Sequence, residues 1–397
     1  MAIEKIDVNH FIEYSKKFPV LDVRSPGEYA HAHIPGAYSL PLFTNEERKI
    51  VGTAYKQESK QQAIKIGLKY FGPKMVGMVE EVETLMNTHW VNKPNNSMTN
   101  DQMSNADPMT IIVHCWRGGM RSAGVAWLLS LYGFKVYTLA GGYKAYRGWV
   151  RKQFENNYNL NILGGYTGSA KTKVLQLLWA KGQNIIDLEG LANHKGSAFG
   201  KIGMPPQPSQ EMFENLLAEN LFVANNHAIG QSLANDGITA NCQLPTANCI
   251  WLEDESQRIG DVMLPDPLWK QMRNSLVYFL DIPFEERLGF LVHDYGKGQT
   301  EEFVNAVIRI KKRLGGLEAK TAIHHLMEGE MKEAFRVLLT YYDKWYKKGL
   351  YSRDSIDKLL IEIPFSCVLQ KGQVEELLAK SAAKKEAAPV EETALNM

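Results

Sequence analysis

Short apolar runs closed by turn residues alternate along this chain with stretches of helical spacing. PVLDVR (19–24), closed by Ser25-Pro26-Gly27, and PMTIIVHC (108–115), ending on a cysteine, read as buried parallel strands. A helix over Ser122–Tyr132, stopped by Gly133, and the strand KVYTLAGG follow. Residues 150–159 (VRKQFENNYN) are polar and unpatterned, which predicts a linker. Beyond them the alternation restarts. LNILGG is a strand, KTKVLQLLWAKG a helix ended by Gly182, and NIIDLEG, NCIWLED and LVYFLDI are further strands. From Glu285 the pattern turns helical. Such alternation predicts α/β sheets covered on both faces. The Asn- and Met-rich insertion Asn87–Asp107 is too polar to build a core and reads as a mobile loop. The Ala/Glu/Lys-rich end predicts a flexible tail over 371–397 whose start is helical.

Length and composition then set the domain count. With 397 residues, 45% of them hydrophobic, the chain can build two ordinary cores, which places one domain at 1–150 and another at 151–370. No uninterrupted apolar stretch is long enough to span a bilayer, and the opening MAIEKIDVNHF lacks the basic, apolar, small-residue order of a signal peptide. A cytoplasmic protein with no membrane partner is expected. The four cysteines (Cys115, Cys242, Cys249, Cys367) have neither the pairing of a disulfide framework nor the spacing of a zinc site, so no structural metal is expected. A net charge of +1 does not advertise nucleic-acid binding, and an RNA partner needs local patches. The clearest is Arg309, Lys311, Lys312 and Arg313, then Lys344, Lys347 and Lys348 interleaved with aromatics, a run that by itself reads first as the solvated face of helices.

Two turns carry the candidate chemistry. After IIVHC come Trp116, Arg117, Gly118, Gly119, Met120 and Arg121, then a helix. A strand-to-helix turn with two glycines lets backbone N–H groups converge on an anion, and the helix adds its positive end. That field, with Arg117 and Arg121, favours a nucleophilic thiolate on Cys115. In the second half LNILGG runs into Y-T-G-S-A-K-T and a helix, the pattern of a phosphate-binding P-loop: Gly165, Thr167, Gly168 and Ser169 around the anion, Lys171 adding charge and Thr172 able to hold Mg²⁺. Ala170 stands where the pattern has its final glycine, which leaves nucleotide binding open. Acidic residues closing neighbouring strands, Asp187 and Glu189, then Glu253, Asp254 and Glu255, are the metal candidates, with Asp187, Glu189, Glu253 and Asp254 foremost. His194 and Lys195 in ANHKGSAFG, at the sheet's ligand-binding edge, are candidate substrate contacts, and Arg287 in LDIPFEERL is a candidate anion contact.

The segment DVRSPGEYAHAHIPGA (Asp22–Ala37), together with the cysteine loop, resembles the signature of the rhodanese superfamily. The loop has the C-x5-R length, one residue longer than in typical rhodaneses and equal to that of Cdc25-type phosphatases, which suits a tetrahedral oxyanion such as phosphate or selenophosphate. A phosphatase would also need a protonated acid, for which Glu28 or Asp22 are available, Asp22 reading rather as structural at its strand end. The succession HCWRGGMRSAG, GGYTGSAKT, DLEGLANHKGSAFG, IWLEDESQRIGDVMLP and LLTYYDKWY resembles the tRNA 2-selenouridine synthase family over roughly residues 5–365.

That resemblance implies a rhodanese-like doubly wound parallel sheet followed by a P-loop NTPase-like α/β domain with a helical C-terminal part. It further implies a tRNA-modifying transferase: geranyl diphosphate alkylates a wobble 2-thiouridine, and selenium from selenophosphate then displaces the geranylthio group. The partners are tRNA bearing that base and a supplier of selenophosphate; Mg²⁺ is the candidate cofactor. Cys115 either carries selenium covalently or positions selenophosphate. The alternatives are a phosphatase, or a sulfurtransferase with a regulatory nucleotide-binding domain.

Overall fold

The computed structural model describes residues 3–87, 109–233, 249–295 and 299–386. Apart from Asn87, the predicted mobile insertion lies outside them, as does Cys242. The chain separates into two compact units, Met1–Lys152 and Gln153–Met397.

The first unit is a parallel five-stranded sheet of β1 (Glu4–Ile6), β2 (Val20–Asp22), β3 (Tyr38–Ser39), β4 (Thr110–His114) and β5 (Lys135–Leu139), in the order β1-β5-β4-β2-β3. The central β4 is unbroken Ile111-Ile112-Val113, all fully buried, because helices cover both faces and leave no side for water. Its C-terminal end therefore delivers Cys115 to the edge of the sheet. Between β3 and β4 the chain forms three helices that the sequence pattern did not reveal: Asn45–Gln57, Lys60–Phe71 and Met75–Leu85. Local capping starts the first two. Thr44 and Glu47 form a reciprocal box, and Ser59 accepts the Gln62 N–H. Phe71, Met78 and Val82 then pack with Val113, Val125 and Leu129.

The second unit has strands β6 (Leu160–Gly165), β7 (Asn184–Ile186), β8 (Ile250–Glu253), β9 (Arg258–Ile259), β10 (Val262–Met263), β11 (Leu276–Asp281) and β12 (Leu360–Pro364). Five form a parallel sheet ordered β12-β11-β6-β8-β7, while β9 and β10 pair as a small antiparallel ribbon. The strand entering the P-loop is thus central and flanked by acid-tipped β8. Beyond β11 the helices Phe284–Tyr295, Thr300–Leu314, Gly316–Met327 and Met331–Leu350 share a core of Leu288, Phe303, Phe335 and Leu338.

Two expectations change. The segment 150–159 is not a bare linker: the helix Gly142–Gln153 runs into it, and Phe154 and Tyr158 are buried, Tyr158 being held by Gln153 and Gln271. Nor is 371–397 a flexible tail throughout. Gln373–Glu386 is a helix whose Val374 and Leu377 enter the core beside Val174 and Leu178, and whose Ser381 accepts a hydrogen bond from Asn161 at 3.1 Å. Composition marked its polar face and missed the apolar stripe that docks. No helix among the described residues is long and apolar enough to cross a membrane.

Candidate functional site

Chemistry-bearing residues gather at one sheet edge in each unit. In the first, Cys115 follows β4 and its Sγ lies 3.2 Å from the Ser122 Oγ, at the start of the helix Met120–Tyr132. Burial opposes ionisation of the thiol. The Ser122 hydroxyl, the N–H groups of Ser122 and Gly119, and the Arg121 charge outweigh it and hold Cys115 below the ordinary thiol range.

The turn is fixed from behind by the N-terminus of the helix Gly142–Gln153. Tyr143 N–H donates to the Cys115 carbonyl at 2.9 Å and Lys144 N–H to that of Trp116 at 3.0 Å. Such close backbone packing leaves no room for side chains. At Gly118 (φ +62°) a Cβ would sit 2.5 Å from the Leu139 carbonyl oxygen, and at Gly142 (φ +58°) it would collide with that of Cys115. Arg121 is held over the turn by Glu28 at 2.8 Å, and Glu28 also pairs with Arg48 at 2.8 Å. Although burial raises the Glu28 carboxyl, Arg121, the Ser25 N–H and Arg48 bring it down to about 2. Glu28 is therefore ionised and unsuited to a phosphatase's acid role. Asp22, the other candidate acid, is fully buried in a fork with Arg24, whose Nη2 lies 2.6 Å from it and also binds the Ala32 carbonyl. Arg117 is exposed on the rim of the same turn, and Cys115 lines a cavity there.

In the second unit the 165–172 turn has left-handed or glycine-only backbone at Gly165 (φ +149°), Gly168 (φ +85°) and Ala170 (φ +56°). Ala170 thus keeps the conformation its missing glycine would supply. Lys171 Nζ donates to the Gly165 carbonyl at 3.2 Å, Ser169 Oγ is buried without a partner, and the Thr172 hydroxyl donates to Glu189 at 3.0 Å. These are the atoms a bound phosphate and its cation would engage.

The predicted carboxylates divide. Asp187 and Glu189 do not end a strand: Asp187 caps the short helix Leu188–Ala192, accepting the Gly190 N–H, and Glu189 lies in its first turn. Glu253, fully buried, accepts the Leu188 N–H at 2.8 Å. Both caps aim Glu189 at Thr172. Asp254 points elsewhere, into an ion pair with Arg353 and a 2.6 Å bond from the Tyr346 hydroxyl, so its lone pairs are spent on protein groups. Glu255 takes the place assigned to it, against Glu189. Burial, then mutual repulsion, raises Glu253 and Glu255 well above the carboxylate range; Glu189 is raised by burial, with Lys171 opposing, and Asp187 by burial. Among the described residues no three His, Cys, Asp or Glu side chains form a ready metal cage.

The candidate contacts also move. His194 is buried against Gly200 and Gly260, and burial, then the Lys201 charge, lower its pKa, leaving a neutral packing residue. Lys195 pairs with Asp294 at 2.9 Å over the Tyr295 ring. From the same loop Gly196 (φ +66°) passes so close to Glu189 and Glu255 that a Cβ would touch both. Arg287 is buried and spends its donors on the carbonyls of Ile282 and Thr167 and on both oxygens of Asp343, so it props the P-loop rather than meeting a free anion. Tyr346 does likewise by accepting the Gly165 N–H at 3.1 Å. Sequence reading missed Tyr346 and Asp343 because each reaches its partner across the fold, and Ser122 because its contact with Cys115, seven residues away, depends on how the turn folds back on the helix start.

Similarity to known proteins follows the same division. Residues 8–148 match the rhodanese-like domain family, and 158–357 match the family described as the tRNA 2-selenouridine synthase AAA domain. The chain belongs to the tRNA 2-selenouridine synthase family. A synthase of that name from Sulfurovum sp. is 31% identical over 387 residues, covering 91% of this chain and 93% of its own. Those of Hydrogenovibrio crunogenus (32%, covering 83% and 89%) and Pseudomonas fluorescens (33%, covering 81% and 78%) are similarly related. Members of this family therefore share both units, and the two sheet edges described above lie inside the matched segments.

Proposed function

We propose that this protein replaces sulfur by selenium in the wobble 2-thiouridine of tRNA, through an S-geranylated base. The carrying observation is a thiol held below its ordinary pKa at a backbone anion cradle, in a chain whose second unit presents another cradle with a lysine. Both donors of the reaction are phosphorus-containing anions, and each cradle suits one. At the P-loop, Lys171 and backbone N–H groups hold the diphosphate of geranyl diphosphate while the base sulfur forms a bond to geranyl carbon 1 and diphosphate departs. At the Cys115 turn, the selenium of selenophosphate adds to carbon 2 of the base, geranylthiolate leaves with the bonding pair, and water then cleaves the phosphorus–selenium bond, releasing phosphate and leaving selenium on carbon 2.

Mg²⁺ fits the second cradle: Thr172 and Glu189 would hold it with Glu255 beside them, and substrate phosphates would complete the shell, as this ion prefers few protein carboxylates. It would neutralise charge on the departing diphosphate. The crowding that raises the pKa of those carboxylates would be relieved by such a cation.

The test is nucleoside analysis of 2-thiouridine tRNA incubated with protein, geranyl diphosphate and selenophosphate. Cys115→Ser is expected to stop selenium incorporation and let the geranylated base accumulate; Lys171→Ala is expected to cut geranylation by roughly a hundredfold or more, as loss of one preorganised charge contact does. Mass spectrometry of wild-type protein treated with selenophosphate distinguishes a covalent Cys115 adduct from simple positioning. Unchanged selenium incorporation by Cys115→Ser, or phosphate release from an aryl phosphate instead, would defeat the reading.

A further inference from the structure

The Cys115 turn forms part of a cavity of about 840 Å³ whose other walls come from the helices Asn45–Gln57, Lys60–Phe71 and Met120–Tyr132. A selenophosphate-sized anion needs only the turn. The rest of the space is in the size range of sites for whole organic ligands, and its walls are apolar, with Phe43, Ile64, Leu68, Phe71, Met120 and Trp127 among them. Leu68, Met120 and Trp127 are more than half exposed, a concentration of apolar surface that a folded chain keeps when something covers it. Arg48, Lys49 and Lys56 line the same cavity, so cations accompany the apolar wall as well as the cysteine turn. An occupant that matches has a hydrocarbon body, a reactive end at Cys115 and phosphates nearby.

We propose that this cavity seats the prenyl chain, about ten carbons long, of the S-alkylated thiouridine while its carbon 2 faces Cys115. The assignment rests on the reaction proposed above and adds the place of its leaving group. Seating the chain fixes the direction of carbon–sulfur cleavage and holds the base against the cysteine turn. Lys49 and Lys56 then face the RNA backbone that carries the base, Arg48 being held by Glu28. The helices Asn45–Gln57 and Lys60–Phe71, left unassigned by the cysteine chemistry, thereby acquire a role as the wall that recognises the alkyl group.

The measurement is equilibrium binding of the full-length protein to anticodon stem-loops carrying S-methyl, S-dimethylallyl or S-geranyl 2-thiouridine. Burial strengthens binding by roughly fourfold per methylene, so the geranyl ligand is expected to exceed the methyl one by at least about tenfold even when only part of the chain is covered. Ile64→Gln and Leu68→Gln alter partly exposed side chains at 39% and 57% exposure, which leaves the core intact. Each is expected to narrow the chain-length preference while leaving S-methyl binding unchanged, a built-in check on folding. Displacement of the geranyl stem-loop by geranyl diphosphate would show that the seat also takes the chain from that source; no displacement restricts it to the thioether. Either result keeps the seat. Equal affinity for the methyl and geranyl ligands, or a preference that survives both substitutions, overturns it. A chain-length preference lost in both variants, in a protein that never incorporates selenium, would instead overturn the reaction and leave the seat standing.

Discussion

Ala170 shows how a residue can depart from a motif while the backbone keeps it. Its φ of +56° and ψ of +36° place an L-residue in the left-handed region at the N-cap of the helix Lys171–Ala180. That conformation costs an alanine about 1–2 kcal/mol, and strain of this kind persists where surrounding structure over-determines it. Arg287 on the Thr167 carbonyl and Tyr346 under the Gly165 N–H are the restraints at hand. Ala170→Gly is therefore expected to stabilise the fold by up to about 1 kcal/mol after the glycine's larger unfolded-state entropy is subtracted. In a unit of this size that is a rise of roughly 2–4 °C in Tm, read by thermal melting. A fall in Tm would show that the methyl group packs favourably. The motif's residue types at 165–172 were legible in the sequence; that the substituted position still turns left-handed was not, because the restraint comes from residues more than a hundred positions away.

At the scale of elements, the junction of β7, the short helix Leu188–Ala192 and the end of β8 gathers four carboxylates. Glu253 is pushed well above its ordinary value by burial first, then by the charges of Asp187, Glu189 and Glu255. A carboxyl raised on folding binds its proton more tightly in the native state. Its contribution to stability is fully present below the unfolded value near 4.5 and is lost as pH rises through the folded value. The protein should accordingly lose Tm between pH 5 and pH 8 through this cluster. Glu253→Gln keeps an acceptor for the Leu188 N–H and removes the charge, so it is expected to match wild type near pH 5, melt higher at pH 8 and flatten the slope between them. Parallel pH profiles for the two proteins would sink the assignment. Sequence order placed acids near the P-loop, since strand ends are readable from apolar runs. Which acid faces Thr172 depended on a helix five residues long, whose start is set by caps from Asp187 and Glu253 and leaves little periodicity to detect.

For the whole molecule, a net charge of +1 means that RNA binding has to come from local patches. Arg309, Lys311, Lys312 and Arg313 are exposed on the helix Thr300–Leu314, and the aromatic run on Met331–Leu350 divides by duty. Tyr342 packs in the helical core, Tyr346 serves the P-loop, and Trp345 alone of the three is exposed, with Lys348 5.2 Å from its ring. If the basic stripe contacts phosphates, neutralising Lys311, Lys312 and Arg313 to alanine should weaken tRNA binding and reduce the slope of log affinity against log salt by about one for each contact removed; an unchanged slope would return the stripe to a solvated helix face. Taken by itself, the sequence determined the alternation of strands and helices, the cysteine turn and the P-loop, because each is a local pattern of apolar runs, glycines and charges. Tertiary structure alone decided the partners of that chemistry: Ser122 against Cys115, Glu189 against Thr172, Asp254 withdrawn to Arg353, and the apolar wall beside the thiol. Asp254 and Arg353 meet across 99 positions, and even the nearer pairs depend on how a turn and a helix start are folded against each other, which no local periodicity records.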